Sequence, residues 1–239
     1  MTRPYAPRPR WWVDVAAVLF CLAFVAGLML LLSEVTWAVR MDVAIRDWVD
    51  SHRPAPMFWL ARILNFLGQG TPLAVLTGLA AAYLAYRKKT IRPLVVFVAA
   101  YFAVGGVIGP IKLWTDRYAP HTLPGTEKLG PPYPTVEQSD FFQFDKAMSF
   151  PSGHTVNAVV WYALLLAFLV PLFPKLDRYR LWIRLVPPVI VTWSMTYLAF
   201  HWFTDVLAGL ALGIIIERVF FRLPWERVPL PARLERREG

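Results

Sequence analysis

With one cysteine in 239 residues, Cys21, the chain can form no intrachain disulfide, and the cysteine-based metal motifs are absent. Acidic residues are scarce, 16 against 25 Lys and Arg, for a net charge of +9. That excess does not point to nucleic acid, because the basic residues fall in short clusters between apolar runs and form no patch with interleaved aromatics. No repeat, low-complexity tract or Pro/Gly/Ser linker divides the chain, so one domain over residues 1–239 is expected.

What is abundant is apolar. Hydrophobic residues make up 57% of the chain, with 11 Trp and a mean hydropathy of +0.45, more apolar surface than one soluble core of this length buries. A bilayer core about 30 Å thick needs roughly 20 apolar residues in helix. Six stretches approach that length: Val15 to Leu32, Ile63 to Tyr86, Pro93 to Ile111, Thr155 to Pro174, Leu185 to Phe200, and Trp202 to Phe221. The expected fold is therefore all-α, a polytopic membrane protein with six transmembrane helices. The sixth stretch is the most polar, holding Asp205, Glu217 and Arg218. The first is longer than a signal-peptide core and no A-x-A site follows it, so it reads as an uncleaved anchor.

Lys and Arg set the orientation. An even number of spans puts both termini on one side. That side collects Arg3, Arg8, Arg10, the arginines from Arg218 to Arg237, and the clusters Arg87 to Arg92 and Lys175 to Arg184, most of the 25 basic residues. It is expected to be cytoplasmic. Residues 41–62 mix charge with Trp and Phe and read as an amphipathic segment at the outer interface. Residues 118–150, rich in Pro, Gly and acids, read as an outer loop or lid.

Three ionisable clusters fall at the outer ends of the spans. Lys112-Leu-Trp-Thr-Asp116-Arg117 closes the third, Pro151-Ser152-Gly153-His154 opens the fourth, and His201-Trp-Phe-Thr-Asp205 opens the sixth. A helix N-terminus entered through Ser and Gly is an anion site, since its free N–H groups and dipole favour negative charge. The spacing of four predicts His201 and Asp205 on one helix face within hydrogen-bond reach, where the carboxylate fixes the imidazole tautomer. A structural His–Asp pair or part of a metal site is the alternative, but the phosphate-binding surroundings of His154 favour a metal-free reaction. Together the clusters supply a nucleophilic imidazole, its orienting carboxylate, an acid for the leaving group, and donors for phosphoryl oxygens.

In this ordered combination the sequence resembles the type 2 phosphatidic acid phosphatase superfamily, membrane phosphatases related to vanadium haloperoxidases. Its pattern is K-x6-R-P, P-S-G-H and S-R-x5-H-x3-D. Pro151-Ser152-Gly153-His154 matches the second motif in full; Ser194, His201 and Asp205 match the third; Lys112 and Pro120 match the first. The resemblance implies a helical-bundle core with an outward-facing site that needs no cofactor. By similarity His201 is the nucleophile, Asp205 its orienting partner and His154 the acid, while Lys112, Ser152 and Gly153 hold the phosphate. Ala119 and Met195 stand where the family has arginines. Arg117 is the expected replacement from the same loop, with His121 or Lys146 as further candidates.

The implied substrate is a lipid phosphate or diphosphate, either polyprenyl or resembling phosphatidic acid, drawn from the surrounding membrane lipids. Two other readings stay open: a phosphotransferase discharging the phosphohistidine onto a sugar or lipid hydroxyl, and a non-catalytic lipid-phosphate binder or transporter on the same scaffold.

Overall fold

A computed structural model describes residues 10–34, 36–120 and 148–231. Among these the chain forms eight α-helices: α1 (Trp11–Leu32), α2 (Trp37–Ser51), α3 (Ala55–Leu64), α4 (Gly70–Lys88), α5 (Arg92–Thr115), α6 (Gly153–Leu169), α7 (Arg180–Tyr197) and α8 (Phe203–Phe220). Their ends follow local chemistry. Thr36 caps α2, its side chain accepting from the Ala38 N–H. Arg87 and Lys88 occupy the last turn of α4, where cations complement the helix dipole. Pro93 sits in the first turn of α5, where its missing N–H costs nothing.

α6 is the central helix. Ten of its 17 residues are buried, and it packs against α8, α4 and α7, with α1 on another side of α8. The α6–α8 contact is unusually close because α8 presents Gly209 and Gly213 to it, a small-xxx-small spacing that lets two backbones approach. A Cβ at Gly209 would lie 2.1 Å from Thr155 Oγ1 and 2.5 Å from the Ser152 carbonyl, and one at Gly213 would lie 2.8 Å from Val159 Cβ. This approach brings the N-termini of the two helices together. The Ser152 N–H donates to the Asp205 carbonyl at 3.0 Å, and the Thr155 hydroxyl reaches the Val206 carbonyl.

Among the described residues two helices, α1 and α5, are long and apolar enough to cross a membrane, and α3 with α4 makes a third if the bent pair is one span. The expected second span needs correction. Ile63 to Gly68 belongs to α3 and a 3-10 turn, and α4 starts only at Gly70, bent 44° from them. α7 ends at Tyr197 instead of Phe200 because Ala199 turns left-handed (φ 54°) and the Phe200 N–H returns to the Met195 carbonyl at 3.1 Å.

Residues 41–62 fall in α2 and α3, whose Trp37, Trp48 and Trp59 are exposed. α2 buries Ala38, Val39, Asp42, Arg46 and Val49 on one face. Of the expected lid, 121–147 lies outside the described residues, as do His121 and Lys146.

Candidate active site

The site forms where α5 ends and α6 and α8 begin. Asp116 leaves α5 left-handed (φ 43°), its N–H donating to the Lys112 carbonyl at 2.9 Å, and the chain then turns inward. Segment 115–117 pairs with 149–150: the Ser149 N–H donates to the Arg117 carbonyl at 2.8 Å, and the Thr115 hydroxyl donates to the Phe150 carbonyl at 3.0 Å. Lys112 Nζ donates to the carbonyls of Met148 and Ser149. The same lysine reaches α6, its Cε lying 3.9 Å from where a Gly153 Cβ would be.

The first turn of α6 therefore faces Lys112. Its leading N–H groups have no acceptor inside the helix. Ser152 is fully buried, and its hydroxyl has no hydrogen-bond partner among the described residues. His154, one residue into the helix, places its ring centroid 6.0 Å from that of His201. Lys112, Ser152, Gly153, His154 and His201 thus lie close together.

The His201–Asp205 pair is organised differently from the expectation. His201 precedes α8, with Trp202 extended between them (ψ 152°), so the two residues do not share a helix face. Nδ1 of His201 is 3.6 Å from Asp205 Oδ2, beyond direct hydrogen-bond range. Between them lies the Ser149 hydroxyl, 3.2 Å from Nδ1 and 2.6 Å from Oδ2. The Trp202 N–H also donates to Oδ2, at 3.1 Å.

Arg117 also departs from its expected role. It is 1% exposed and its guanidinium is directed at carboxylates: Nη1 donates to Asp205 Oδ1 and Thr204 Oγ1, both at 2.7 Å, and Nη2 to Asp42 Oδ2 at 3.0 Å. The group lies 5.3 Å from the Trp202 ring centroid. Asp42, from α2, accepts the Thr204 N–H at 3.0 Å and so satisfies a first-turn donor of α8. Burial pushes the Asp42 carboxyl above its ordinary range, while Arg117 and Thr204 oppose the shift. Neither Asp42 nor Ser149 was singled out by the sequence motifs. The only signal for Ser149 was its place two residues before Pro151.

The two replaced arginine positions are apolar and closed. Met195 is fully buried beside Ala158, Val191 and Val206, and Ala119 is 7% exposed. Among the described residues no three His, Cys, Asp or Glu side chains converge as metal ligands would. One turn along α6 from His154, a groove of about 780 Å³ opens between α4, α5 and α6. It runs from Gly70, Gly105 and Asn157 at the site end to Gly78, Val98 and Trp161 deeper along the helices, with mostly apolar walls.

A family model described as the PAP2 superfamily matches residues 93–229. Phosphatidylglycerophosphatase B of Bacillus subtilis is 28% identical over 165 residues, 66% of this chain and 72% of that protein. YbjG of Escherichia coli K12, provisionally named an undecaprenyl-diphosphatase, is 29% identical over 161 residues, 66% of this chain and 70% of its own. A crystal structure described as the first transmembrane PAP2-type phosphatidylglycerolphosphate phosphatase from Bacillus subtilis superposes with a TM-score of 0.65 at 25% identity. That likeness covers 87% of this chain and 93% of the other.

Proposed function

The chain belongs to the PAP2 superfamily, and on that premise we propose that it is an integral membrane lipid phosphatase working through a phosphohistidine at His201. One observation carries the reading: two imidazoles, His154 and His201, face each other 6.0 Å apart at a helix N-terminus beside Lys112. In this reading Nε2 of His201 attacks phosphorus while Lys112, the Ser152 hydroxyl and the α6 N–H groups take the charge that builds on the phosphoryl oxygens. The buried, unpartnered Ser152 hydroxyl supports that assignment, because a buried donor without a partner costs free energy that an anion would restore. His154 gives its proton to the departing lipid oxygen and then takes one from the water that hydrolyses the phosphohistidine.

The proposed architecture is a single transmembrane unit of six spans with both termini cytoplasmic and the site at the outer face. The apolar groove between α4 and α5 supports a lipid substrate, whose hydrocarbon would lie there while its phosphate meets His201. Both curated relatives are named for lipid phosphates, one a phosphomonoester and one a diphosphate.

Arg117 takes a positioning role here in place of phosphate binding, because its donors already serve Asp205, Thr204 and Asp42. The absence of arginine at 119 and 195 favours one second reading, a lipid-phosphate binder without turnover. Phosphate release from phosphatidic acid, phosphatidylglycerophosphate and undecaprenyl diphosphate in detergent micelles separates the two. Turnover that disappears in His201→Ala is expected. Binding of these lipids without release by the unmutated protein would establish the binder instead.

A further inference from the structure

We propose that Ser149 is a positioning residue that joins His201 to Asp205 and sets which imidazole nitrogen carries the attacking lone pair. This inference rests on the phosphohistidine reading above.

The hydrogen positions follow from what each partner can do. An ionised carboxylate only accepts. A hydroxyl 2.6 Å from Asp205 Oδ2 therefore directs its own hydrogen there, leaving the Ser149 oxygen to accept. The remaining neighbour is His201 Nδ1, 3.2 Å away, which must then carry its hydrogen and donate it. The chain runs Nδ1–H to Oγ, then Oγ–H to Oδ2. With the proton held on Nδ1, the lone pair of the neutral ring is on Nε2. When Nε2 binds phosphorus the ring becomes cationic, and the same chain connects that charge to Asp205 with no proton changing atoms. A direct pair cannot do this at 3.6 Å.

Ser149 is fixed for the task. It is 2% exposed, its N–H is held by the Arg117 carbonyl and its own carbonyl lies within reach of Lys112 Nζ. The other Asp205 oxygen is occupied by Arg117 Nη1, and Oδ2 also takes the Trp202 N–H. The carboxylate is thus clamped from both sides, and a change at Ser149 leaves it in place. What Ser149→Ala removes is the link to the imidazole.

The test measures kcat, KM and the pH dependence of kcat for the full-length protein and for Ser149→Ala, Ser149→Cys and His201→Ala. The substrate is the one hydrolysed fastest of the three lipids above. Misorienting a reacting group by about 1 Å costs on the order of 100-fold, so Ser149→Ala is expected to lose roughly that in kcat with KM changed less than about twofold. Its acidic limb should move to lower pH. The imidazolium loses its connection to Asp205 and gives up its proton more easily, so the free nucleophile persists further into acid. A merely structural serine would not move that limb. Ser149→Cys, close in size and a weak donor, should fall between the two, and it decides the matter if the alanine variant does not fold. Parental kcat and an unshifted profile in the variant that folds, with His201→Ala inactive, would overturn the role of Ser149. Turnover surviving in His201→Ala would instead overturn the phosphohistidine reading beneath it.

Discussion

Replacing Arg117 with Met separates two accounts of this residue. As a phosphate ligand its loss would raise KM and leave the fold intact. As the buried cation between Asp42 and Asp205 its loss strands two carboxylates that are 1% and 0% exposed. Each pair is worth about 4 kcal/mol at 4 Å and an effective dielectric constant near 20, before desolvation is set against it. Removing one partner of a buried pair costs about 3–5 kcal/mol, chiefly because the remaining charge is uncompensated. At 2–4 °C per kcal/mol for a chain of this size, the expected fall in Tm is roughly 6–20 °C. The assay is thermal unfolding in detergent, followed by tryptophan fluorescence, for Arg117→Met, Asp42→Asn and the double variant. Asn at 42 removes one of the stranded charges, so the double variant should melt above Arg117→Met, a non-additivity of at least about 1 kcal/mol. A Tm within 2 °C of the parent for Arg117→Met, with KM raised tenfold, would refute the positioning argument and restore the phosphate-binding one.

Four other substitutions probe separate parts of the fold. Gly209→Val should push α8 away from α6 and abolish activity, since its Cβ would sit 2.1 Å from Thr155 Oγ1. Gly27→Ala, with nothing within 4 Å of the new Cβ, should be neutral or gain about 0.5–1 kcal/mol; Tm and phosphate release compare the two. Gly105→Leu, where a Cβ meets nothing within 4 Å and the side chain fills the groove, should raise KM for long-chain lipid phosphates while a short-chain water-soluble phosphate is unaffected. Asp14→Asn should lower Tm, because the carboxylate charge that binds both Arg218 and Arg222 is lost, at about 1.5–3 kcal/mol for hydrogen bonds to a charged group, less than for a fully buried pair because both arginines are partly exposed. Its kcat and KM should stay at parental values, since this cluster is at the opposite end of α8 from Asp205.

The limits of the sequence reading are visible residue by residue. The start of α6 was legible because capping is local: Pro151, Ser152 and Gly153 adjoin the helix's first N–H groups. Spacing alone misjudged His201 and Asp205. A separation of four implies one helix face only inside a helix, and the left-handed Ala199 with the extended Trp202 keeps His201 outside α8. The carboxylate partners of Arg117 were not legible, since a cation at a helix end suits either a phosphate or a carboxylate. Asp42 lies in the segment read as interfacial, and an amphipathic pattern does not declare which charge turns inward.

Hydrophobic runs and basic clusters, read from the sequence alone, determined that the chain is helical and suited to a bilayer, and the three motifs supplied the residues proposed as nucleophile, acid and anion donors. These are properties of neighbouring residues. Only the tertiary structure decided what aligns His201 and what holds Asp205. The Ser149, Arg117 and Asp42 contacts there span 56, 88 and 162 residues, and contacts of that range exist only once α8 has closed on α6 through Gly209 and Gly213.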